Sequence, residues 1–348
     1  MIENVPNFSK SRGDIMHGDP IIYSTLEMAQ FSKIIADLLG YPLGEAVLPS
    51  FDDGEARVKL GLDNRGGDIF AIGSTHQPDR NLMELLCIIR AAKKASAERI
   101  TAVMPYFGYC RADWKDKPRV CPTTKLVCDM LMAAGIDRLL TVDLHASQIM
   151  EFFDTDVCVD QLFGASYFLD VIALDWENSA IVALDQGSHK VCKRFWKVIC
   201  RTLKDTNQNS QLPVLAFINK TRPEANKTET TYVINIEEGR SLKGREILLI
   251  DDMIDTAGSV EGSVIALRRK RVKSINVATT HGVLSGSAIN RLKKLHLDNL
   301  WVTDTVPSAE SKLQGIVQNY HKESITGLLA EAIKRIHEDH SISALIKI

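Results

Sequence analysis

The stretch Ile247-Leu-Leu-Ile-Asp-Asp-Met-Ile-Asp-Thr-Ala-Gly-Ser259 contains the whole logic of the fold in miniature. Its apolar run predicts a buried strand, which Asp251 and Asp252 bring to an end. The turn Asp255-Thr256-Ala257-Gly258-Ser259 then opens a helix. Backbone N–H groups of such a turn, together with the helix N-terminus, make a cradle for an anion. Thr256 and Ser259 add hydroxyl donors, and Gly258 removes the side chain that would block a phosphate. Asp251 and Asp252 can accept from neighbouring sugar hydroxyls or face a metal ion. A phosphate beside a diol describes a ribose phosphate. A plain N-cap in an acidic turn is the blander alternative, but two acids closing an apolar strand are rarely only a cap.

The same strand-then-helix rhythm extends in both directions. In the first half, strands are expected at Asp68–Gly73, Ile100–Met104 and Leu139–Val142, with helices at Leu82–Ala95 and Lys125–Ala134. In the second half, strands are expected at Ala180–Leu184, Val214–Phe217, Ile247–Ile250, Ile275–Thr279 and Leu300–Val302. Helices are expected near Lys190–Leu203, Ser259–Arg269, Ala288–Lys294 and Ile325–His337. Such alternation predicts an α/β protein of two similar domains, each a mainly parallel sheet flanked by helices. The expected division is a flexible extension over residues 1–20, one domain over 21–163 and a second over 164–348. Ligands of open parallel sheets sit beyond the carboxyl ends of the strands. Asp143, His145, Asp185, Asp251, Asp252 and His281 all stand just after apolar runs.

A chain of 348 residues has room for two such cores. The net charge of -2 offers no global basic field for nucleic acid, so anionic ligands must meet local cations. No apolar run is long enough for a membrane span, and the polar start of the chain lacks a secretory pattern. Seven cysteines without a CxxC pair suit reduced thiols and a cytoplasmic protein.

The loop at 251–259 resembles the phosphoribosyl-binding motif shared by type I phosphoribosyltransferases and ribose-phosphate pyrophosphokinases. Elsewhere the resemblance is to the pyrophosphokinases: Phe51-Asp-Asp-Gly-Glu55, Asn81-Leu-Met-Glu-Leu-Leu86, Pro105-Tyr-Phe-Gly-Tyr109, Asp143-Leu-His-Ala-Ser-Gln148, Thr280-His-Gly-Val-Leu-Ser-Gly286 and Thr303-Asp-Thr-Val-Pro307. It runs in order from about Tyr23 onward. It implies two domains of type I phosphoribosyltransferase-like fold and transfer of the β,γ-diphosphoryl group of ATP to the anomeric hydroxyl of ribose 5-phosphate. The products are phosphoribosyl pyrophosphate and AMP, in an in-line displacement that needs positioning and charge neutralisation. The family also contains associated proteins that keep the fold and modulate the enzyme, a second reading of the same resemblance. No Walker A pattern occurs, which excludes a P-loop kinase.

The resemblance also assigns roles. Arg111, Ala112, Asp113 and Lys115 fall in a mobile loop that closes over ATP; on charge pattern alone that segment reads as a solvated loop. Phe51, Asp53, Gly54 and Glu55 match a segment that contacts ATP from a neighbouring subunit, which implies a homo-oligomer, a hexamer in the family. His145, Asp185 and Asp143 are the candidates for Mg²⁺, a hard ion that prefers oxygen and keeps several waters. Lys220 and Arg222, with Arg111, are the candidates for stabilising charge in the transition state; Arg222, Asp251, Asp252, Asp255, Thr256, Ala257, Gly258 and Ser259 are those for ribose 5-phosphate. Three departures stand out. Asp185-Gln-Gly-Ser-His189 is bulkier than the family's pattern, Trp114 replaces a usual cation, and Asp63 replaces a Ser common in the regulatory phosphate site. Weak phosphate dependence is expected.

Overall fold

The computed structural model describes residues 17–48, 50–115, 117–185, 187–221, 231–236, 240–315 and 317–346. The first half runs β1 (Pro20–Ser24), α1 (Ala29–Leu39), a short ribbon of β2 (Val47–Leu48) and β3 (Arg57–Val58), β4 (Asp68–Ile72), α2 (Arg80–Lys94), β5 (Arg99–Met104), α3 (Thr123–Ala134), β6 (Arg138–Val142) and β7 (Cys158–Leu162). Its main sheet has the order β1-β4-β5-β6-β7, parallel throughout. The central strands β4 and β5 are buried along their whole length, as their largely apolar sequences require. Strand β7, Cys158-Val-Asp-Gln-Leu162, is a half-exposed edge whose polar residues carry no strand signal.

The second half runs α4 (Gly164–Val171), β8 (Ser179–Ala183), α5 (His189–Thr206), β9 (Val214–Thr221), β10 (Thr231–Ile236), β11 (Glu246–Ile254), α6 (Gly258–Arg268), β12 (Ser274–Gly282), α7 (Ala288–Leu295), β13 (Asn299–Thr303), α8 (Ser308–Leu313), β14 (Tyr320–Glu323) and α9 (Thr326–His337). Its sheet has the order β10-β9-β8-β11-β12-β13-β14, with β10 antiparallel to β9 and the other pairings parallel. The chain leaves β8 towards β9 on one side and returns as β11 on the other. That reversal opens a crevice between the carboxyl ends of β8 and β11, where such sheets bind ligands.

The division at residue 164 follows chain order but not packing. Helix α9, expected to close the second domain, lies instead on the first sheet. Ile325, Leu329, Ile333 and Ile336 are buried with Ile22, Ile35, Phe70, Val103 and Leu140. The physical reason is coverage. Helices α2 and α3 cover one face of the first sheet, and α1 alone cannot cover the other, so α9 completes that layer. A polar clamp fixes its end. Asp68, wholly buried, accepts from Arg99 Nη2 at 2.6 Å, from Arg99 Nε at 2.9 Å and from His337 Nδ1 at 2.8 Å. Among the described residues, no helix is long and apolar enough to cross a membrane.

Candidate active site

Strand β11 does not stop at Ile250, as its apolar run suggests, but continues to Ile254. Pairing with β12 extends it, Asp251 opposite Thr279 and Met253 opposite His281. Both acids therefore sit on a rigid strand. The turn beyond is braced from two directions. Asp255 accepts from the Ser285 hydroxyl, and its carbonyl accepts from the Ser285 N–H at 3.0 Å. Arg291 donates to the Thr256 carbonyl at 2.8 Å and pairs with Glu261 at 3.1 Å. The residue in left-handed conformation is Ala257, with φ 60°, rather than the neighbouring glycine. An alanine held there costs about 1 kcal/mol or more, the kind of strain that collects at binding sites. Gly258 begins α6, where an added Cβ would lie 3.4 Å from an Arg291 nitrogen. Arg291 had no signal in sequence beyond its place on an amphipathic helix; Ser285 lies in the Thr280–Gly286 motif.

The two halves meet at this turn. His145, which follows β6, bonds through Nδ1 to Asp252 Oδ2 at 2.8 Å. The Asp252 contact raises the His145 pKa, with burial working against it. Arg111 reaches across from the first half to Asp255, and Gln148 donates to Asp113 at 2.7 Å. Ala112 is part-buried and Lys115 exposed in the same loop. Trp114 stands 69% exposed beside them.

Asp185 follows β8 at the crevice. Its Oδ1 accepts from the Ser188 N–H at 3.0 Å and lies 3.2 Å from the Ser188 hydroxyl. Ser188 ties Asp185 to the start of α5. The His189 ring packs against Phe217, with centroids 4.9 Å apart. Gln186 lies outside the described residues. Burial, then the Asp252 and Asp185 carboxylates, pushes the Asp251 carboxyl well above its ordinary range. Carboxylates that repel one another in this way suit a cation.

Asp143 is the most enclosed of the three metal candidates. It is buried in the seam between the halves, where its Oδ2 accepts from the Thr280 hydroxyl at 2.5 Å and from the Gly164 N–H at 3.0 Å. Burial raises its pKa to about 7, although the Thr280 bond pulls it down. Asp143 is thus a strut between domains, held through one of its two carboxylate oxygens. Among the described residues, no group of three His, Cys, Asp or Glu side chains is spaced to enclose an ion. The donor set fits Mg²⁺ held by one or two protein groups, with water and phosphate oxygens completing the shell.

Two expected elements are placed apart or only in part. Phe51, Asp53, Gly54 and Glu55 form the tip of the β2–β3 ribbon. The Gly54 N–H donates to the Phe51 carbonyl at 2.8 Å, Gly54 has φ 91°, and the Glu55 N–H donates to Asp53 at 3.0 Å. The Phe51 ring is half exposed, with the Arg57 guanidinium 5.5 Å away. Among the described residues, no hydrogen bond or ion pair joins this tip to Arg111, His145 or the turn at 251–259. Lys220 lies within β9, opposite Tyr232 of β10, rather than beyond the strand as expected. Its backbone is thereby fixed at the carboxyl end of the strand next to β8. Arg222 lies outside the described residues.

A crevice at a strand-order reversal, with a braced turn opening a helix on one lip, is the arrangement in which α/β proteins of the phosphate-binding class place their ligands. Comparison with known proteins narrows this. Residues 21–135 match the family model described as the N-terminal domain of ribose phosphate pyrophosphokinase, and residues 209–347 the phosphoribosyl synthetase-associated domain. The chain is 40% identical over 322 residues to the ribose-phosphate pyrophosphokinase of Chlorobaculum tepidum, covering 91% of each chain. It is 43% identical over 304 residues to that of Rhodopirellula baltica, covering 86% of this chain and 90% of the relative. Its fold matches the crystal structure of phosphoribosylpyrophosphate synthetase from Mycobacterium smegmatis with a TM-score of 0.78 and 32% identity, over 92% of this chain and 99% of that one. The chain belongs to the ribose-phosphate pyrophosphokinase family. These relatives are named for the enzyme, which favours the catalytic reading over that of an associated modulator.

Proposed function

We propose that this protein transfers the diphosphoryl group of ATP to the anomeric hydroxyl of ribose 5-phosphate, giving phosphoribosyl pyrophosphate and AMP. The observation that carries this reading is the 2.8 Å contact between His145 and Asp252, which joins the lip expected to face ATP to the acid expected to face the sugar. The turn Asp255–Ser259 would hold the 5-phosphate through its backbone N–H groups, and Asp251 and Asp252 the ribose hydroxyls. Arg111, anchored on Asp255, would lie where donor and acceptor meet. Lys220, at the carboxyl end of β9, and Arg222 beyond it would stabilise charge developing on the transferred group. Mg²⁺, when bound, would neutralise phosphate charge near His145 and Asp185. His145 suits that part because its Nδ1 is engaged by Asp252, leaving Nε2 for a ligand. The ribbon tip Phe51–Glu55 would serve the ATP site of an adjacent copy, which makes the working form a homo-oligomer. The compartment that fits these substrates and the free thiols is the cytoplasm.

The test is direct. Purified protein with Mg-ATP and ribose 5-phosphate should yield AMP and phosphoribosyl pyrophosphate in equal amounts. Lys220→Ala should cut turnover by roughly 10²-fold or more while leaving ribose 5-phosphate binding nearly intact. No product from the protein alone, or an unchanged rate in the variant, would overturn the assignment.

A further inference from the structure

The seam between the halves contains a buried cluster that the transfer chemistry does not use. His281, at the end of β12, is 1% exposed. Its Nε2 faces two carbonyls of the first half, Val142 at 3.1 Å and Asp143 at 3.2 Å. Carbonyls only accept, so Nε2 must carry the proton. Nδ1 then accepts from the Thr305 hydroxyl at 2.9 Å. The Tyr106 ring packs at a tilt against the imidazole, with centroids 4.9 Å apart. Thr280, one residue earlier, donates to the Asp143 carboxylate at 2.5 Å. Two successive residues of β12 therefore grip the side chain and the backbone of Asp143. The gripped residue has φ 40°, a left-handed conformation that a non-glycine residue adopts only when its surroundings impose it.

Two links close this cluster into a ring. Asp143 stands two residues before His145, whose Nδ1 bonds to Asp252 at 2.8 Å. Asp252 in turn precedes Met253, the register partner of His281 across the β11–β12 ladder. The Met253 N–H also donates to Asp252 Oδ1 at 2.9 Å, which fixes the carboxylate. The circuit thus runs from Asp252 to His145, back along the chain to Asp143, across to His281 and through the ladder to Asp252.

We propose that His281, with Thr280, is a positioning residue that holds the Asp143–His145 turn against Asp252, so that the group offered to the metal and the acid offered to the sugar act as one unit across the domain seam. This rests on the functional reading above. It requires metal binding and ribose 5-phosphate binding to be coupled through the ring, although His281 touches neither ligand.

The experiment uses the full chain and Mn²⁺ as the metal probe, its affinity measured by electron paramagnetic resonance with and without ribose 5-phosphate. Wild-type protein should bind Mn²⁺ roughly five-fold or more tightly when the sugar phosphate is present. His281→Gln places an amide N–H near the position of Nε2 and should keep this coupling. His281→Asn is too short to reach the Val142 carbonyl and should lose it, with turnover falling more than the KM for ATP changes. Thr305→Val, which removes the Nδ1 partner together with the Thr305 hydroxyl's bonds to the Thr280 carbonyl and Thr303, should weaken the coupling part-way and gives the reading if His281→Asn does not fold. Coupling that is absent in wild type, intact in His281→Asn or Thr305→Val, or equally lost in His281→Gln overturns the proposal. Failure of the wild-type protein to form AMP strikes the functional reading instead.

Discussion

Replacing Asp68 by Ala should detach the last helix from the first sheet and destabilise the whole chain. Asp68 is wholly buried and accepts from two Arg99 nitrogens and from His337. Breaking a buried ion pair by removing one partner costs about 3–5 kcal/mol, because the remaining charge stays buried. Here Arg99 keeps Asp339 at 3.2 Å and the Ile336 carbonyl at 2.9 Å, which favours the lower end, about 3 kcal/mol. At roughly 2.1 cal/mol/K of unfolding entropy per residue, that lowers the melting midpoint by about 4 °C for a chain of this length. Asp68→Asn should cost less, since it keeps one carbonyl acceptor. The effect also has a defined pH dependence. Burial alone would raise the Asp68 pKa, but the bonds from His337 and Arg99 prevail and hold it below the ordinary carboxylate value. A depressed folded pKa contributes stability that is present above the unfolded value, about 3.9, and is lost as pH falls through the folded one. The gap between wild type and Asp68→Ala should therefore be constant from about pH 5 upward and close only below about pH 4. Denaturant melts across this range measure the gap, and hydrogen exchange in α9 locates it. A loss under about 0.5 kcal/mol, or unchanged protection in α9, would refute the argument.

Gly164→Ala should weaken the domain seam, because a Cβ there would lie 2.1 Å from the Thr280 hydroxyl and 2.8 Å from Asp143 Oδ2. Overpacking of this kind costs about 1–3 kcal/mol, read as a lower melting midpoint. Cys121 and Cys158 are exposed, whereas burial pushes the Cys110 and Cys128 thiols up to about 12. A thiol reagent at neutral pH should modify the two exposed cysteines quickly and the two buried ones only on unfolding, as mass spectrometry of the labelled protein would show.

Much of the architecture was legible because it is written in local periods. Central strands such as Asp68–Ile72 are buried on both faces and read as apolar runs, and α2 shows its buried stripe in Leu82, Leu85, Leu86 and Ile89. Edge strands β7 and β14 were not legible, since Cys158–Leu162 and Tyr320–Glu323 are half exposed and polar. The ends of β9 and β11 were misjudged for a related reason. Pairing carries a strand past its apolar run, and a partner strand is not visible in the run itself.

The turn at Asp255–Ser259 could be picked out from sequence alone as a candidate cradle for an anion, because such a cradle needs only contiguous residues and the helix that follows them. Tertiary structure alone decided which distant residues meet it. His145 reaches Asp252 across 107 positions, and Asp143 is tied into the domain seam by Thr280, 137 positions away. It also decided that α9 belongs to the first sheet. Burial and hydrogen bonding between remote segments depend on how two sheets are covered and joined, and no local pattern encodes that.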